Sequence, residues 1–235
     1  MPSTTSFADV LPFYLVCPHC GKDLKRITIE VLGRKREVGC WASCGCADAL
    51  ADDAGVDSWQ RKYVKAGIPK GYLDADCETM RNEVEVANGR SLYIVGPNGA
   101  GKTYYAATIA KRLLDMQGRN LSVYFTTSVD LIDAVRDTYD GQDNGALDRA
   151  CGCDVLVLDD LGKETPTRNN LEILFILVNY RNSERKPIVI TSNFTRGELA
   201  DRWDAVDGSM SSSIVSRLCE NSGIVEIRGM DRRIS

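Results

Sequence analysis

The stretch Gly96-Pro97-Asn98-Gly99-Ala100-Gly101-Lys102-Thr103 decides how the rest of the chain is read. It follows Ser91-Leu92-Tyr93-Ile94-Val95, which is short, apolar and rich in strand formers, and it precedes a helical run from Tyr104 to Met116. Strand, glycine-rich loop, Gly-Lys-Thr and helix together make the P-loop layout. In that layout the backbone N–H groups of the loop and the helix N-terminus converge on one point, and a polyanion such as a triphosphate satisfies them together. Nucleotide binding is the premise from which the other segments are read.

A chain of 235 residues holds one sizeable core and a small appendage. The apolar share of 43% and charged share of 26% are those of an ordinary globular protein. A net charge of −4 excludes a generally basic, DNA-coating protein, so nucleic-acid contact must be local. The N-terminus lacks a charged segment with a cleavage site. No apolar run approaches bilayer length, and Val10 to Val16 is interrupted by Pro12. A cytoplasmic location without a membrane partner is the expectation. Nine cysteines are many for that compartment, where they serve as metal ligands more often than as disulfides.

Five of the nine fall between Cys17 and Cys46. Cys17-Pro18-His19-Cys20-Gly21 has the form of a zinc knuckle, with two thiolates at ligand spacing and a glycine that lets the chain fold back beneath the metal. Lys25 to Val31 alternates as a strand, Leu32-Gly33 offers a turn, and Arg34 to Gly39 runs back toward Cys40, Cys44 and Cys46. A hairpin with cysteine pairs at its open end is a zinc ribbon in outline. Cys17, Cys20, Cys44 and Cys46 are the expected Zn2+ ligands, with Cys40 as the substitute, and His19 is read as loop filler. Residues 1–46 thus form a zinc-binding module, residues 47–66 a linker helix, and residues 67–235 the nucleotide-binding domain, after the break at Ala66-Gly67-Ile68-Pro69.

Beyond the P-loop helix, strands are expected at Leu121–Phe125, Val155–Leu158, Pro187–Ile190 and Ile224–Ile227. Thr127 or Ser128 caps a helix to about Tyr139, Thr167 opens another ending near Glu184, Thr195 to Glu198 is a capping box, and Ile214 to Cys219 forms one more helix. Apolar strands alternating with helices mean a parallel sheet covered on both faces, an α/β fold. Ligands of such sheets bind at the carboxyl ends of strands. Three such ends carry polar residues: Lys102 and Thr103, then Asp159 and Asp160, then Asn193. Lys102 is expected to neutralise the β- and γ-phosphates of ATP, while Thr103 and Asp159 hold Mg2+. Asp160 is placed to polarise the attacking water, and Asn193 to hold that water or the γ-phosphate. Arg217, in the otherwise apolar Val215-Ser216-Arg217-Leu218, is an outlier. Taken alone, a surface salt bridge is the safer reading of it and of Arg233; the other is a guanidinium delivered by a neighbouring subunit to stabilise the developing charge.

Further boxes follow in order: Ile68-Pro69-Lys70-Gly71-Tyr72, Leu158-Asp159-Asp160-Leu161-Gly162, Ile190-Thr191-Ser192-Asn193, Leu199 to Trp203, Val215 to Leu218, and Gly229-Met230-Asp231-Arg232-Arg233. With them, residues 67–235 resemble the AAA+ ATPases of the bacterial replicative helicase-loader group (DnaC/DnaI type), to which the transposition helper IstB is related. The resemblance implies an AAA+ core that binds ATP and hydrolyses it at a subunit interface. It further implies self-association, a hexameric replicative DNA helicase bound through the N-terminal module, and single-stranded DNA contacted by the core. Arg217 becomes the finger in trans and Arg233 a sensor-2-like residue. Asp160 stands where many AAA+ proteins carry Glu, which implies slow or DNA- or partner-stimulated hydrolysis. Little sequence follows Arg232-Arg233, so no full C-terminal helical lid is expected. The alternatives are a transposition helper from the same core and, from another class, a small-molecule P-loop kinase, which needs a lid-like insertion not evident here. A GTPase lacks support, because no Asn-Lys-x-Asp motif is present.

Overall fold

The computed structural model describes residues 25–31, 34–40, 60–139 and 145–228, and the chain divides into two compact units, Met1–Ser58 and Trp59–Ser235. In the first unit β1 (Lys25–Val31) pairs antiparallel with β2 (Arg34–Cys40), with Val31 opposite Arg34 and Lys25 opposite Cys40. That is the hairpin expected around Leu32-Gly33. Cys17, Cys20, Cys44 and Cys46 lie outside the described residues, as does most of the expected linker helix.

The second unit is built on a sheet of five parallel strands in the order β4-β5-β6-β3-β7. In chain order these are β3 (Ser91–Val95), β4 (Val123–Thr127), β5 (Val155–Leu161), β6 (Ile188–Ser192) and β7 (Ser222–Glu226). The three central strands are nearly continuous apolar runs because helices cover both of their faces. Helix α1 (Arg61–Lys65) and α2 (Asn82–Ala87) precede β3, and α3 (Lys102–Asp115) follows it. Next come α4 (Ser128–Tyr139), α5 (Ala146–Gly152), α6 (Arg168–Ser183) and α7 (Arg196–Cys219).

Strand periodicity divides the core. Leu156, Leu158, Ile188 and Ile190 join Leu131 and Ile132 of α4, Leu171, Leu174 and Leu177 of α6, and Trp203, Ile214 and Leu218 of α7 in one buried cluster. Intervening strand residues such as Val157 and Val189 point to the opposite face, where α3 buries Ala106, Ala107, Ile109, Ala110 and Leu113. The run of alanines lets that helix approach the sheet closely, which fixes the loop at its N-terminus.

Several local predictions meet the structure in detail. Thr127 caps α4 by accepting a hydrogen bond from Asp130 N–H at 3.0 Å, and Thr167 caps α6 through Asn170 N–H at 3.3 Å. Thr195 and Glu198 form the reciprocal capping box. The two helices expected after Asn193 are joined at a kink, where Asp207 leaves helical geometry (φ −158°, ψ 97°). Helix α5 was not foreseen, because its seven residues include two glycine- or cysteine-rich positions and no apolar period long enough to read.

Residues expected to close a linker pack instead within the second unit. Tyr63 is buried and its hydroxyl donates to Asp115 Oδ2 at 2.7 Å, while Phe125 N–H donates to Ala66 O at 2.6 Å. The unit is also pinned by Arg181, which is fully buried. Its guanidinium donates to the carbonyl oxygens of Ala150 (2.7 Å), Cys153 (3.0 Å), Asp154 (3.1 Å) and Pro187 (2.8 Å), joining α5, the start of β5 and the start of β6.

Candidate active site

The glycine-rich loop leaves the carboxyl end of β3, the strand flanked by β6 and β7. Gly101 stands at the N-cap of α3 with φ +98°, a left-handed conformation that glycine adopts without Cβ strain. Helix α3 therefore begins at Lys102, two residues earlier than the apolar pattern suggests. Lys102 is 5% exposed. Its ammonium donates to Pro97 O at 2.8 Å and to Asn193 Oδ1 at 2.6 Å, and Asn193 Nδ2 donates to Asn98 Oδ1 at 2.8 Å. The loop and the end of β6 are thus one hydrogen-bonded unit.

Strand β5 does not stop at Leu158. Pairing with β6 shifts register between Leu158 and Leu161, so Asp159 and Asp160 occupy a bulge and the strand resumes at Leu161. Bulges of this kind re-aim side chains beside active sites. Asp159 is buried, and the Thr103 hydroxyl lies 3.1 Å and 3.0 Å from its two oxygens. The Thr191 hydroxyl donates to Asp159 Oδ1 and accepts from Asp160 N–H at 2.9 Å. Burial pushes the Asp159 carboxyl above the usual range. The charge of Asp160 adds to the rise, while the Thr191 and Thr103 hydroxyls and Lys163 partly offset it. A carboxylate and a hydroxyl in contact form a hard oxygen donor set suited to Mg2+, which prefers such ligands.

Asp160 has φ +58°, uncommon for a residue with a side chain. Its carboxylate is 26% exposed and pairs with Lys163 Nζ at 2.7 Å. Both residues line a cavity of about 330 Å³ together with Tyr72, Asn98, Lys102 and Thr103, a size in the range of small-molecule sites. Asn98 belongs to the loop expected to bind nucleotide, whereas three further participants were not among the expected site residues: Tyr72, Thr191 and Lys163. Thr191 had a signal, the first of two hydroxyl residues closing the apolar run Ile188–Ile190. Tyr72 reaches the cavity from a short 3-10 turn, Lys70–Tyr72, for which the sequence has no period.

Arg217 is at the other edge of the same sheet. It lies near the end of α7, five residues before β7 begins, and lines a cavity of about 410 Å³ with Ser91 and Ile188, the first residues of β3 and β6. The P-loop follows the opposite end of β3, a strand length of roughly 16 Å away. The guanidinium donates to Asn179 Oδ1 at 3.0 Å and Ser213 O at 2.9 Å, and stacks over the Phe175 ring at 5.4 Å. The structure therefore brings together Lys102, Thr103, Asp159, Asp160 and Asn193, and does not bring Arg217 to them. Arg233 lies outside the described residues. Among the described residues no helix follows β7, and no helix is long and apolar enough to cross a membrane.

A parallel sheet in this order, with the P-loop on β3 and the acids on a bulge of β5, makes this chain a P-loop NTPase with an AAA+ core. Residues 77–235 match the IstB-like ATP binding protein family, and the chain belongs to that family. It is 32% identical over 145 residues to a Sinorhizobium fredii protein described as an insertion sequence ATP-binding protein, an alignment covering 60% of this chain and 46% of that one. It is 25% identical over 189 residues to the replicative helicase loader DnaC of Escherichia coli K12, covering 72% of this chain and 74% of that protein. The crystal structure of DnaI superposes with a TM-score of 0.57 at 28% identity, over 66% of this chain and 89% of that one. The chain thus spans under half of one of these relatives and about three quarters of the other.

Proposed function

We propose that this protein is an ATPase that loads the replicative DNA helicase onto single-stranded DNA, and that each ATP is hydrolysed between two copies of the chain. The observation that carries the reading is the division of the charged machinery between opposite edges of one sheet. Lys102, Thr103, Asp159, Asp160 and Asn193 gather at the strand ends, while Arg217 is held at the strand starts by neutral partners. A site so divided is completed by stacking copies head to tail.

In that reading Lys102 and the loop N–H groups bind the β- and γ-phosphates. Thr103 and Asp159 hold Mg2+, which supplies neutralising charge to the phosphate oxygens when bound. Asp160 orients a water for attack on the γ-phosphorus and accepts its proton as the bond to the β-phosphate oxygen breaks, releasing ADP and phosphate. Asn193 positions that water or the γ-phosphate, and Arg217 of the neighbouring copy stabilises the charge that develops on the transferred group. The pairing of Asp160 with Lys163 supports slow hydrolysis in the isolated chain, raised when DNA or the helicase displaces Lys163. Arg233 approaches the phosphates as a sensor. Cys17, Cys20, Cys44 and Cys46 hold Zn2+ in the N-terminal module that meets the helicase; two thiolates at knuckle spacing and two from the return arm of the hairpin suit a closed structural site.

A transposition-helper role is the second reading, supported by the family to which residues 77–235 belong and by the likeness to an insertion sequence protein. Co-purification with the replicative helicase, with ATPase measured with and without single-stranded DNA, separates the two. Helicase capture and DNA-stimulated hydrolysis are expected of a loader. Failure to capture the helicase with stimulation intact favours the transposition role. One zinc per chain in reduced, carefully purified protein is expected, and less counts against the zinc site.

A further inference from the structure

Glu164 takes no part in the site described above, yet it is 3% exposed and follows Asp160 by four residues. Its Oε2 accepts hydrogen bonds from Gly162 N–H at 2.9 Å and from the Ser128 hydroxyl at 2.7 Å. Its Oε1 is buried without a hydrogen-bond partner among the described residues. Ser128, the fully buried first residue of α4, also lies 3.2 Å from the Asp160 carbonyl oxygen. A hydroxyl has one proton to give, and the shorter, charge-assisted contact is the one to Glu164.

These contacts enclose a turn. Lys163 N–H donates to Asp160 O at 3.1 Å, and the turn contains two left-handed residues, Asp160 at φ +58° and Gly162 at φ +95°. Such a conformation in an aspartate persists only where its surroundings over-determine it. One side of the turn is closed by packing: a Cβ on Gly162 would lie 2.7 Å from Phe194 Cδ2 and 2.9 Å from Leu199 Cδ1. Glu164 supplies the polar closure on the other. A buried carboxylate with an unpaired oxygen costs folding free energy that an apolar side chain would not. Stability alone therefore does not account for a glutamate here.

We infer that Glu164 is a positioning residue for ATP hydrolysis: through Gly162 and Ser128 it holds the Asp160–Glu164 turn in the conformation that keeps the Asp160 carboxylate on the phosphate cavity. The inference rests on the reading of Asp160 as the group that activates water. It makes Glu164 matter for turnover and not for nucleotide affinity, because none of its contacts reaches the P-loop.

The test compares Glu164→Gln, Glu164→Ala, Ser128→Ala and Asp160→Asn in the full chain, each assayed for affinity toward a non-hydrolysable ATP analogue and for kcat and KM with single-stranded DNA present. Glu164→Gln keeps an acceptor for both donors and should retain turnover within about threefold. Glu164→Ala should lower kcat about tenfold or more with analogue affinity and KM little changed, the split expected when only transition-state geometry is lost. Ser128→Ala should fall between them and carries the test if Glu164→Ala does not fold. The inference is overturned if Asp160→Asn is inactive while Glu164→Ala, or failing that Ser128→Ala, turns over normally. Loss of analogue affinity in step with kcat, or a Gln variant as impaired as Ala, overturns it too. Normal hydrolysis by Asp160→Asn would instead remove the reading beneath it.

Discussion

The ammonium of Lys102, at the start of the P-loop helix, donates to Asn193 Oδ1 at the end of β6 across 2.6 Å. The amide of Asn193 in turn donates to Asn98 within the loop. A side chain on one strand end is thus tied to the loop on the neighbouring strand, and under the proposed function a γ-phosphate bound at the loop would compete for the same atoms.

For Asn193→Ala this arrangement predicts separable effects. Lys102 keeps Pro97 O and its attraction for phosphate, so ATP affinity should stay within a few-fold of the parent. Hydrolysis should fall by about 10²-fold, the scale of removing one preorganised polar group from a reacting phosphate or acyl centre. Fluorescent-nucleotide titration beside a phosphate-release assay checks both halves. Lys102→Ala, by contrast, should lose nucleotide binding itself.

Asp159 links the site to stability through pH. Its folded pKa is raised above the ordinary 3.8, chiefly by burial. The native state therefore holds the proton more tightly than the unfolded chain does. The resulting stabilisation is complete below the ordinary value and is lost as pH rises through the raised one, so at neutral pH the ionised, buried group opposes folding. Asp159→Asn should accordingly raise the melting temperature of the nucleotide-free protein at neutral pH, with the gain shrinking on acidification. The same variant should lose the extra stabilisation that Mg2+ gives over ATP alone. Melting curves across pH, with and without Mg-ATP, measure both.

Arg181 makes a purely structural prediction. Burial lowers its pKa, and four backbone carbonyls from three elements solvate the charge. Arg181→Met removes the donor and leaves those carbonyls facing an apolar chain. Each carbonyl left buried without a donor costs about 1–3 kcal/mol, so the variant should be clearly destabilised, read as a shift in denaturant midpoint at unchanged slope.

The P-loop and the strand-end polar residues were legible in the sequence because their signals are local. A glycine-rich loop between a strand and a helix, or an acid closing an apolar run, needs no knowledge of what packs nearby. The capping residues Thr127, Thr167 and Thr195 were readable for the same reason. What escaped depends on contacts distant in sequence. The bulge that carries Asp159 and Asp160 is set by the register of β5 on β6, and no single-strand pattern encodes it. Tyr63 and Ala66 looked like linker because their partners, Asp115 and Phe125, come more than fifty residues later. Ser128 was legible as a candidate helix cap and Glu164 carried no local signal; their shared burial emerges when the β4–α4 junction meets the turn after β5. Arg217 stood out in sequence as a charge in an apolar helix, but its placement at the far edge of the sheet required the strand order.

The central claim is that two copies of the chain share each ATP site, and mixing two inactive variants tests it directly. Arg217→Ala retains a complete P-loop site but offers no finger, whereas Asp160→Asn offers a finger but cannot activate water. Each should bind ATP and hydrolyse little alone. In an equimolar mixture about a quarter of the interfaces pair an intact site with an intact finger, so hydrolysis should recover to roughly that fraction of the parent rate under head-to-tail assembly. A mixture no more active than the sum of its parts, or full activity of Arg217→Ala alone, would contradict it.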